Sequence, residues 1–367
     1  MSDPVRDDPY YDYDFPEEER SYSTHIAPRR FYIFLETFLV MLVSFLIWIG
    51  VSYLVDLIPE TGNPYQNLFN YSLSVIYLII AVILSLTFVQ LVFHKSSLPM
   101  IKSAPPLKET VTLFTFKKFG KQLFYTLLLL FLVYIPLDFI TYAIPGGLEF
   151  TQKSLGGSEV NVFLSFTNFG QFILYGTLLY LMVGFREELL YRGYMTIRSE
   201  KYVNPGSAVV MSSIFFGFSH LGYLIIGLYQ GTVNLAQDLH PALIWTVGAF
   251  FVGSVSAVFI LKKRMIWPII LAHTLNNVIS SSVLWLNGVN NVNFWDIAKF
   301  LYLPLLGVSV LIVIIFFREV KSGVKAYFGI FKSYKEVIPE RNPRGKAVIA
   351  DIIFGLIFWA IGMAVPA

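Results

Sequence analysis

Apolar runs of about twenty residues recur along this chain, and each is long enough to cross the hydrocarbon core of a bilayer as a helix. Hydrophobic residues make up 56% of the 367 residues and charged residues only 14%, whereas roughly 25% charged is typical of a soluble domain. Helices satisfy their own backbone hydrogen bonds in lipid. The sequence therefore predicts an all-α polytopic membrane protein.

The apolar runs define eight predicted transmembrane helices. In order they are Phe31–Leu54, Tyr71–Phe93, Leu123–Ile144, Val162–Phe185, Ala208–Tyr229, Ala242–Leu261, Ile266–Leu286 and Ile297–Phe317. A shorter ninth run, Val348–Val365, either spans the bilayer or is re-entrant. The predicted organisation is a disordered acidic cytoplasmic tail (1–30), N-terminal transmembrane helices with an interfacial basic segment (31–122), a membrane core (123–317), and a basic cytoplasmic loop with the C-terminal apolar segment (318–367).

The charges are sorted by loop. All of the 27 lysines and arginines except Lys153 and Lys299 fall on the side of the membrane that carries the N-terminal tail. Cytoplasmic loops are the ones enriched in basic residues, so the N-terminus is predicted to be cytoplasmic, and in a prokaryote the membrane would be the plasma membrane. Because loop sorting accounts for the basic residues, we expect a lipid bilayer as partner and no nucleic acid.

Three polar islands interrupt the apolar runs. They are Glu187-Glu188-x-x-x-Arg192 at the end of the fourth predicted span, Phe216-x-x-x-His220 in the fifth and His273-x-x-x-Asn277 in the seventh. Ionisable groups inside a membrane are costly and usually functional. If the fourth helix continues inward beyond its apolar part, all three islands lie in the cytoplasmic half of the bilayer. We expect them to meet in a cavity that opens to the cytoplasm.

The first island holds a candidate general base. Glu188 and Arg192 have the i,i+4 spacing of an ion pair within one helix, and this pairing would leave Glu187 as the carboxylate that activates a water molecule. His220 is placed to hold that water from the other side, either directly or through a metal ion. Phe216 shares a helix face with His220 and would form a wall of the cavity.

The third island holds a candidate oxyanion site. His273 and Asn277 are one helical turn apart on the same face. Their imidazole and amide groups suit the stabilisation of a tetrahedral intermediate. The absence of cysteine excludes thiol catalysis, Cys-ligated zinc and disulfides.

The three islands, in this order on separate helices, resemble the motifs of the CPBP family of intramembrane proteases (CAAX-protease and bacteriocin-processing type, also called Abi-domain proteins). The family pattern E-E-x-x-x-R, F-x-x-x-H and H-x-x-x-N is met without departure. The resemblance covers about Leu123–Phe317, which would be the catalytic membrane core. It implies an eight-helix core with a cytoplasm-facing cavity and the hydrolysis of peptide bonds, and the family includes the Ras-converting CAAX endoprotease.

The resemblance also implies roles for the motif residues. By that likeness Glu187 and His220 activate the water, His273 and Asn277 stabilise the oxyanion, and Glu188 and Arg192 support them. The family is commonly described as metalloproteases, and two alternatives stay open here. The chemistry either needs no cofactor or uses a divalent metal such as Zn²⁺, whose ligands would be Glu187, His220 and His273.

The leading functional hypothesis is an intramembrane endopeptidase that cleaves a membrane-associated peptide or protein. Its substrate would be a prenylated CAAX-type C-terminus, a leader peptide or a regulatory protein. The alternatives are a non-catalytic immunity or scaffold protein of the same fold, and a transporter. Transporters usually carry inverted repeats, and the sequence shows none. A Gly-x-Ser-Gly site and a Gly-Asp motif are also absent, which disfavours other classes of intramembrane protease.

The predicted orientation can be tested directly because the chain has no cysteine of its own. We expect Ser158→Cys, in a predicted outer loop, to react with a membrane-impermeant thiol reagent in intact cells. Ser23→Cys, in the predicted cytoplasmic tail, should react only after the membrane is permeabilised. Labelling of both positions from outside, or the reverse pattern, would contradict the orientation derived from loop charge.

Overall fold

The computed structural model describes residues 26–55, 63–95, 106–156, 166, 168–333 and 343–364. Three predicted regions lie partly outside these ranges: the tail before residue 26, the interfacial segment at residues 102–105, and the fourth predicted span at residues 162–165 and 167. Within them the chain is helical and contains no β-strand, which confirms the predicted all-α class.

Twelve helices are described. They are α1 (Ile26–Val55), α2 (Pro64–Lys95), α3 (Pro106–Thr112), α4 (Phe119–Ala143, with a π-helical turn at Leu130–Tyr134), α5 (Gly147–Gly156), α6 (Phe169–Glu188, continued by the π-helix Leu189–Thr196 and the turn Ile197–Tyr202), α7 (Pro205–Gln230), α8 (Leu235–Lys263), α9 (Trp267–Gly288), α10 (Phe294–Ile315, with a π-helical turn at Ala298–Tyr302), α11 (Phe317–Ile330) and α12 (Pro343–Ala364).

Asparagine side chains start four of these helices. Asn168, Asn204, Asn234 and Asn293 each accept a hydrogen bond from a backbone N–H in the first turn of α6, α7, α8 and α10. Such caps satisfy donors that have no partner within the helix. At the other end of α7, Gly231 takes the left-handed conformation, with φ of 71°, that lets the chain turn back towards α8.

Six helices are long and apolar enough to cross a membrane. They are α4, α6 through Glu200, α7, α8, α9 and α10, and they correspond to the third to eighth predicted spans. They fit a multi-pass integral membrane protein. The predicted count of eight is not confirmed. The first two predicted spans lie on long helices, α1 and α2, but neither is among the six. In α2 the described apolar segment is Val75–Phe88, which is shorter than a full membrane span. The ninth candidate lies on α12.

The helices pack around α7 and α9. Helix α7 contacts α8 along its length and also α12, and α12 in turn packs on α1. Helix α9 lies between α4 and α6. The polar islands are on α6, α7 and α9, so this packing brings their helices to the centre of the molecule.

Helix α6 continues well past Phe185, the predicted end of the fourth span, and its last turn ends at Tyr202. All eight residues of its π-helical part are buried. Glu36 of α1 provides a buried partner for this part of the helix. Its carboxylate accepts hydrogen bonds from the Tyr194 hydroxyl at 2.6 Å and from the Arg198 Nε at 2.8 Å. Arg198, assigned to a loop by its charge, is therefore a buried partner of a carboxylate.

The N-terminal boundary of the first helix differs from the prediction. The range 1–30 was expected to be tail, but α1 begins at Ile26 and Arg30 is buried. The Arg30 Nε lies 2.6 Å from an Asp351 carboxylate oxygen of α12, and the same side chain donates to the Ser207 hydroxyl at 3.0 Å. This contact of the first helix with the last gives the basic residue a buried partner, so the helix starts before the apolar run does.

The Arg30–Asp351 ion pair predicts a specific stability pattern. Removing one partner leaves an uncompensated buried charge, so Arg30→Ala or Asp351→Ala should each cost about 3–5 kcal/mol. Replacing both with apolar residues, as in Arg30→Met with Asp351→Leu, should recover most of that loss. The measurement is the thermal unfolding midpoint in detergent.

Lys299→Ala provides the matched control, because it breaks an exposed ion pair with Asp296 that should contribute only about 0–1 kcal/mol. If the buried single variants unfold at the same temperature as this control, the first and last helices are not held together by the ion pair.

Candidate functional site

A fully buried ion pair lies at the base of the site. The Arg192 Nε is 3.2 Å from a Glu188 carboxylate oxygen, and neither side chain is exposed. This confirms the i,i+4 pair predicted from spacing. The π-helical geometry after Glu188 keeps both residues inside the helix packing rather than at a solvated end.

Phe216 is the common contact of the polar islands. The Arg192 guanidinium lies 4.0 Å from the centroid of its ring, a cation–π contact that strengthens where water is excluded. The edges of the same ring contact the imidazoles of His220 and His273, with centroids 5.1 and 5.9 Å away. Phe216, predicted to be a wall of a cavity, thus contacts one residue of each island, and its role as a wall stays a prediction.

His273 connects the two glutamates. Its Nδ1 is 2.8 Å from the Glu188 Oε1, and its Nε2 is 3.7 Å from the Glu187 Oε2. A carboxylate that pairs with a guanidinium accepts hydrogen bonds, so the Nδ1 of His273 is assigned as the donor. The Tyr134 ring of α4 stacks on the imidazole at 5.9 Å. The ring orientation of His273 is thus set on two sides, and its Nε2 faces Glu187.

Glu187 has a cationic neighbour that the sequence reasoning did not assign to it. The Arg186 Nη2 donates to the Glu187 Oε1 at 2.6 Å. Glu187 is therefore not the unpaired carboxylate that was expected. Its second oxygen, Oε2, is the one that faces His273. Both side chains of this pair are partly exposed, at 27% for Arg186 and 20% for Glu187, in contrast to the buried pair behind them.

His220 is also held in one orientation. Its Nδ1 lies 2.9 Å from the Phe216 carbonyl oxygen, and since a carbonyl only accepts, the Nδ1 must donate. The Nε2 is left as the acceptor of the neutral ring. His220 lies within electrostatic range of both Glu187 and His273, so α7 brings the second island to the other two. Its ring also contacts Trp245 of α8 at 5.4 Å.

Asn277 is the motif residue with the fewest constraints. It is half-buried, one turn along α9 from His273. Within the described part of the chain no hydrogen bond ties its amide to another residue. The structure thus gathers Glu187, Glu188, Arg192, Phe216, His220 and His273 by direct contacts or electrostatic range, and it places Asn277 on the adjacent turn.

The donors do not form an obvious metal centre. Among the described residues, no group of three or more His, Asp or Glu side chains is arranged to hold a metal ion. The set Glu187, His220 and His273, named as ligands if a metal is used, does not meet this condition, because the Glu187 Oε1 is taken by Arg186 and His273 contacts two carboxylates.

The predicted cytoplasm-open cavity is not confirmed. Two pockets found in the described residues, of about 510 and 600 Å³, are lined by other residues. The first lies between α6, α9 and α10 near Phe169, and the second near the start of α8. Neither includes a residue of the three islands.

Three further residues of interest were missed. Arg186 was counted only as a loop charge, although it directly precedes the two glutamates. Asp138, in the third predicted span, accepts a hydrogen bond from the Tyr302 hydroxyl, and its presence as a carboxylate in an apolar run was a signal that could have found it. Tyr134 carries no comparable signal, because an aromatic residue in a transmembrane helix is ordinary.

A comparison with protein-family models agrees with the motifs. Residues 169–279 match the model described as "Type II CAAX prenyl endopeptidase Rce1-like". The matched segment covers less than half of the chain, but it contains every residue of the three islands. This finding confirms the resemblance to the CAAX-protease family. No curated protein and no solved structure gave a match.

Gly217 provides a test of how the site helices are positioned. A Cβ at this position, between Phe216 and His220, would lie 2.7 Å from the Phe250 Cβ and 2.8 Å from its Cα. Gly217→Ala must therefore push α7 from α8, at a cost of about 1–3 kcal/mol. We expect a lower thermal unfolding midpoint in detergent.

Gly307→Ala is the matched control within a membrane helix, because nothing lies within 4 Å of its added Cβ. Its unfolding midpoint should be unchanged or higher, since alanine favours the helix. Equal midpoints for the two variants would contradict the close approach of α7 and α8 at the site.

Proposed function

We propose that this chain is an intramembrane endopeptidase of the CAAX type, which hydrolyses a peptide bond of a membrane-tethered substrate. The observation that carries this proposal is the asymmetric pair of glutamates. Glu188 is buried and neutralised by Arg192, whereas Glu187 is partly exposed and faces the Nε2 of His273. The family match over the segment that contains these residues supports the same reaction.

Glu187 acts as the general base. The 3.7 Å between its Oε2 and the His273 Nε2 is too long for a direct hydrogen bond, and separations of this kind are commonly bridged by water. The Nε2 of His220 can accept a second hydrogen bond and orient the same molecule. The water oxygen attacks the peptide carbonyl carbon while its proton passes to Glu187, which then delivers that proton to the leaving amine as the C–N bond breaks.

His273 and Asn277 stabilise the oxyanion. A carboxylate on the Nδ1 of a histidine fixes the ring and stabilises its protonated form, and Glu188 occupies that position. The protonated ring can then donate from its Nε2 to the carbonyl oxygen as negative charge develops there. The Asn277 amide, one turn away, supplies the second donor. Arg192 supports the site by pairing with Glu188, and Phe216 supports it by contacting both imidazoles.

The substrate is expected to reach the site from the membrane. Glu187, Glu188 and Arg192 lie on α6, Phe216 and His220 lie on α7, and His273 and Asn277 lie on α9. All three helices are long and apolar enough to cross a bilayer. A substrate held to the membrane by a lipid anchor, such as a prenylated C-terminus, would be presented at this depth. We include a prenyl anchor in the proposed substrate because the matched family model is described as a CAAX prenyl endopeptidase.

Substitutions at the site test the reaction. Glu187→Gln and His220→Ala should each lower kcat/KM for a fluorogenic prenylated peptide in liposomes by about 100-fold or more, because each removes a group that handles the water. His240→Ala, which removes an exposed histidine at the start of α8, is the matched control and should cleave normally. Normal cleavage by the Glu187→Gln variant would contradict the mechanism.

The geometry also predicts the response to chelators. Because the described acidic and imidazole side chains form no group of three arranged for a metal, cleavage should persist after dialysis against a strong chelator. Restoration of a lost activity by Zn²⁺ alone would contradict the metal-free mechanism and would require a rearrangement of Glu187, His220 and His273 on binding.

A further inference from the structure

Arg186 is the ion-pair partner of the proposed general base, Glu187. Its Nη2 is 2.6 Å from the Glu187 Oε1, and both side chains are reachable from the surface of the protein. The buried Glu188–Arg192 pair behind them is closed off. Arg186 lies outside the three motifs, so the pattern that resembles the family assigns it no role.

The pair creates a conflict with the proposed reaction. A carboxylate held by a guanidinium through a charge-assisted hydrogen bond is a poorer proton acceptor than a free one. Glu187 therefore reacts best when Arg186 has left it. A guanidinium exchanges one oxyanion for another at little cost, because its planar fork fits any carboxylate. An anionic group on the substrate would provide that exchange.

The surroundings of Arg186 form a recognisable subsite. Arg186 lies within electrostatic range of Tyr223 on α7, and the Tyr223 ring stacks on Trp245 of α8 with centroids 5.2 Å apart. Trp245 in turn contacts the His220 ring. The two half-buried aromatic rings thus form a wall that ends at a site histidine. This chemistry suits a carboxylate carried beside apolar side chains.

We propose that Arg186 binds a carboxylate of the substrate and, by leaving Glu187 for it, releases the general base only when a substrate is present. This inference rests on the proposed function and deepens it, because it names an anionic group as part of what the site recognises. The carboxylate belongs either to the C-terminus of the substrate or to an acidic side chain near the cleaved bond.

The test compares three peptides of the same apolar sequence and the same lipid anchor. One ends in a free carboxylate, one in an amide, and one in an amide with a glutamate placed next to the C-terminus. For the wild type we expect kcat/KM to be about tenfold or more higher for an anionic peptide than for the neutral amide. The preferred anionic peptide identifies the source of the carboxylate.

Arg186→Ala should abolish that preference. Cleavage of the anionic peptide should fall, while cleavage of the neutral amide should rise because Glu187 is released from its ion pair. Arg186→Lys should restore part of the preference, since it keeps the charge but not the planar fork. Lys299→Ala, which removes a cation from an ion pair elsewhere, should retain the full preference.

A binding measurement separates this inference from the proposed function. Glu187→Gln removes the ion pair between Arg186 and Glu187, so this variant should bind the anionic peptide about tenfold more tightly than the amide. The double variant Arg186→Ala with Glu187→Gln should bind both peptides equally.

The outcomes are distinct. Wild-type protein that cleaves none of the peptides, or Glu187→Gln that cleaves like the wild type, would overturn the proposed function, and the binding comparison would still decide whether Arg186 binds carboxylates. Cleavage that requires Glu187 but shows the same preference with and without Arg186 would overturn this inference alone. Equal binding of the anionic peptide by the single and double variants would also overturn it.

Discussion

The burial of Glu188 and Arg192 is the constraint on which the rest of the site depends. Taking two charges out of water costs several kcal/mol per ion, so the surrounding helices must supply compensating contacts. Each charge has one: Glu188 accepts from the His273 Nδ1, and Arg192 lies on the face of Phe216. These contacts join α6 to α9 and α7, so the buried pair is linked to residues of all three polar islands.

This arrangement divides the work between two adjacent glutamates. Residues next to each other in a helix point about 100° apart, so one can face the interior while its neighbour faces a surface. Glu188 lies inside with Arg192 and fixes His273, whereas Glu187 remains partly exposed beside Arg186. In the proposed mechanism, the pair therefore contains one carboxylate that holds His273 in place and one that accepts a proton once Arg186 has left it. Neither could take the role of the other without exchanging these surroundings.

Much of the fold followed from composition and spacing. The apolar runs predicted the helical class and eight membrane helices, of which six are long and apolar enough to cross a membrane among the described residues. The i,i+4 spacing predicted the Glu188–Arg192 pair, because these patterns depend only on local geometry. Contacts between segments that are distant in the sequence produce no comparable pattern in it. Nothing in the sequence linked Arg30 to Asp351 or Glu36 to Arg198, and charge sorting even assigned Arg30 to the tail. The Arg186–Glu187 contact was missed for another reason, since neighbouring residues on a helix seldom meet and only side-chain conformation brings them together.

The central claim is that Glu187 activates water and does not itself attack the substrate. Single-turnover cleavage in water enriched in ¹⁸O, with hydroxylamine as a competing nucleophile, tests it most directly. A general base predicts one ¹⁸O atom in the new C-terminal carboxylate of the product and no hydroxamate, because no acyl-enzyme forms. Hydroxamate that increases with hydroxylamine concentration, at the expense of the ¹⁸O-labelled product, would show a covalent intermediate and contradict the account.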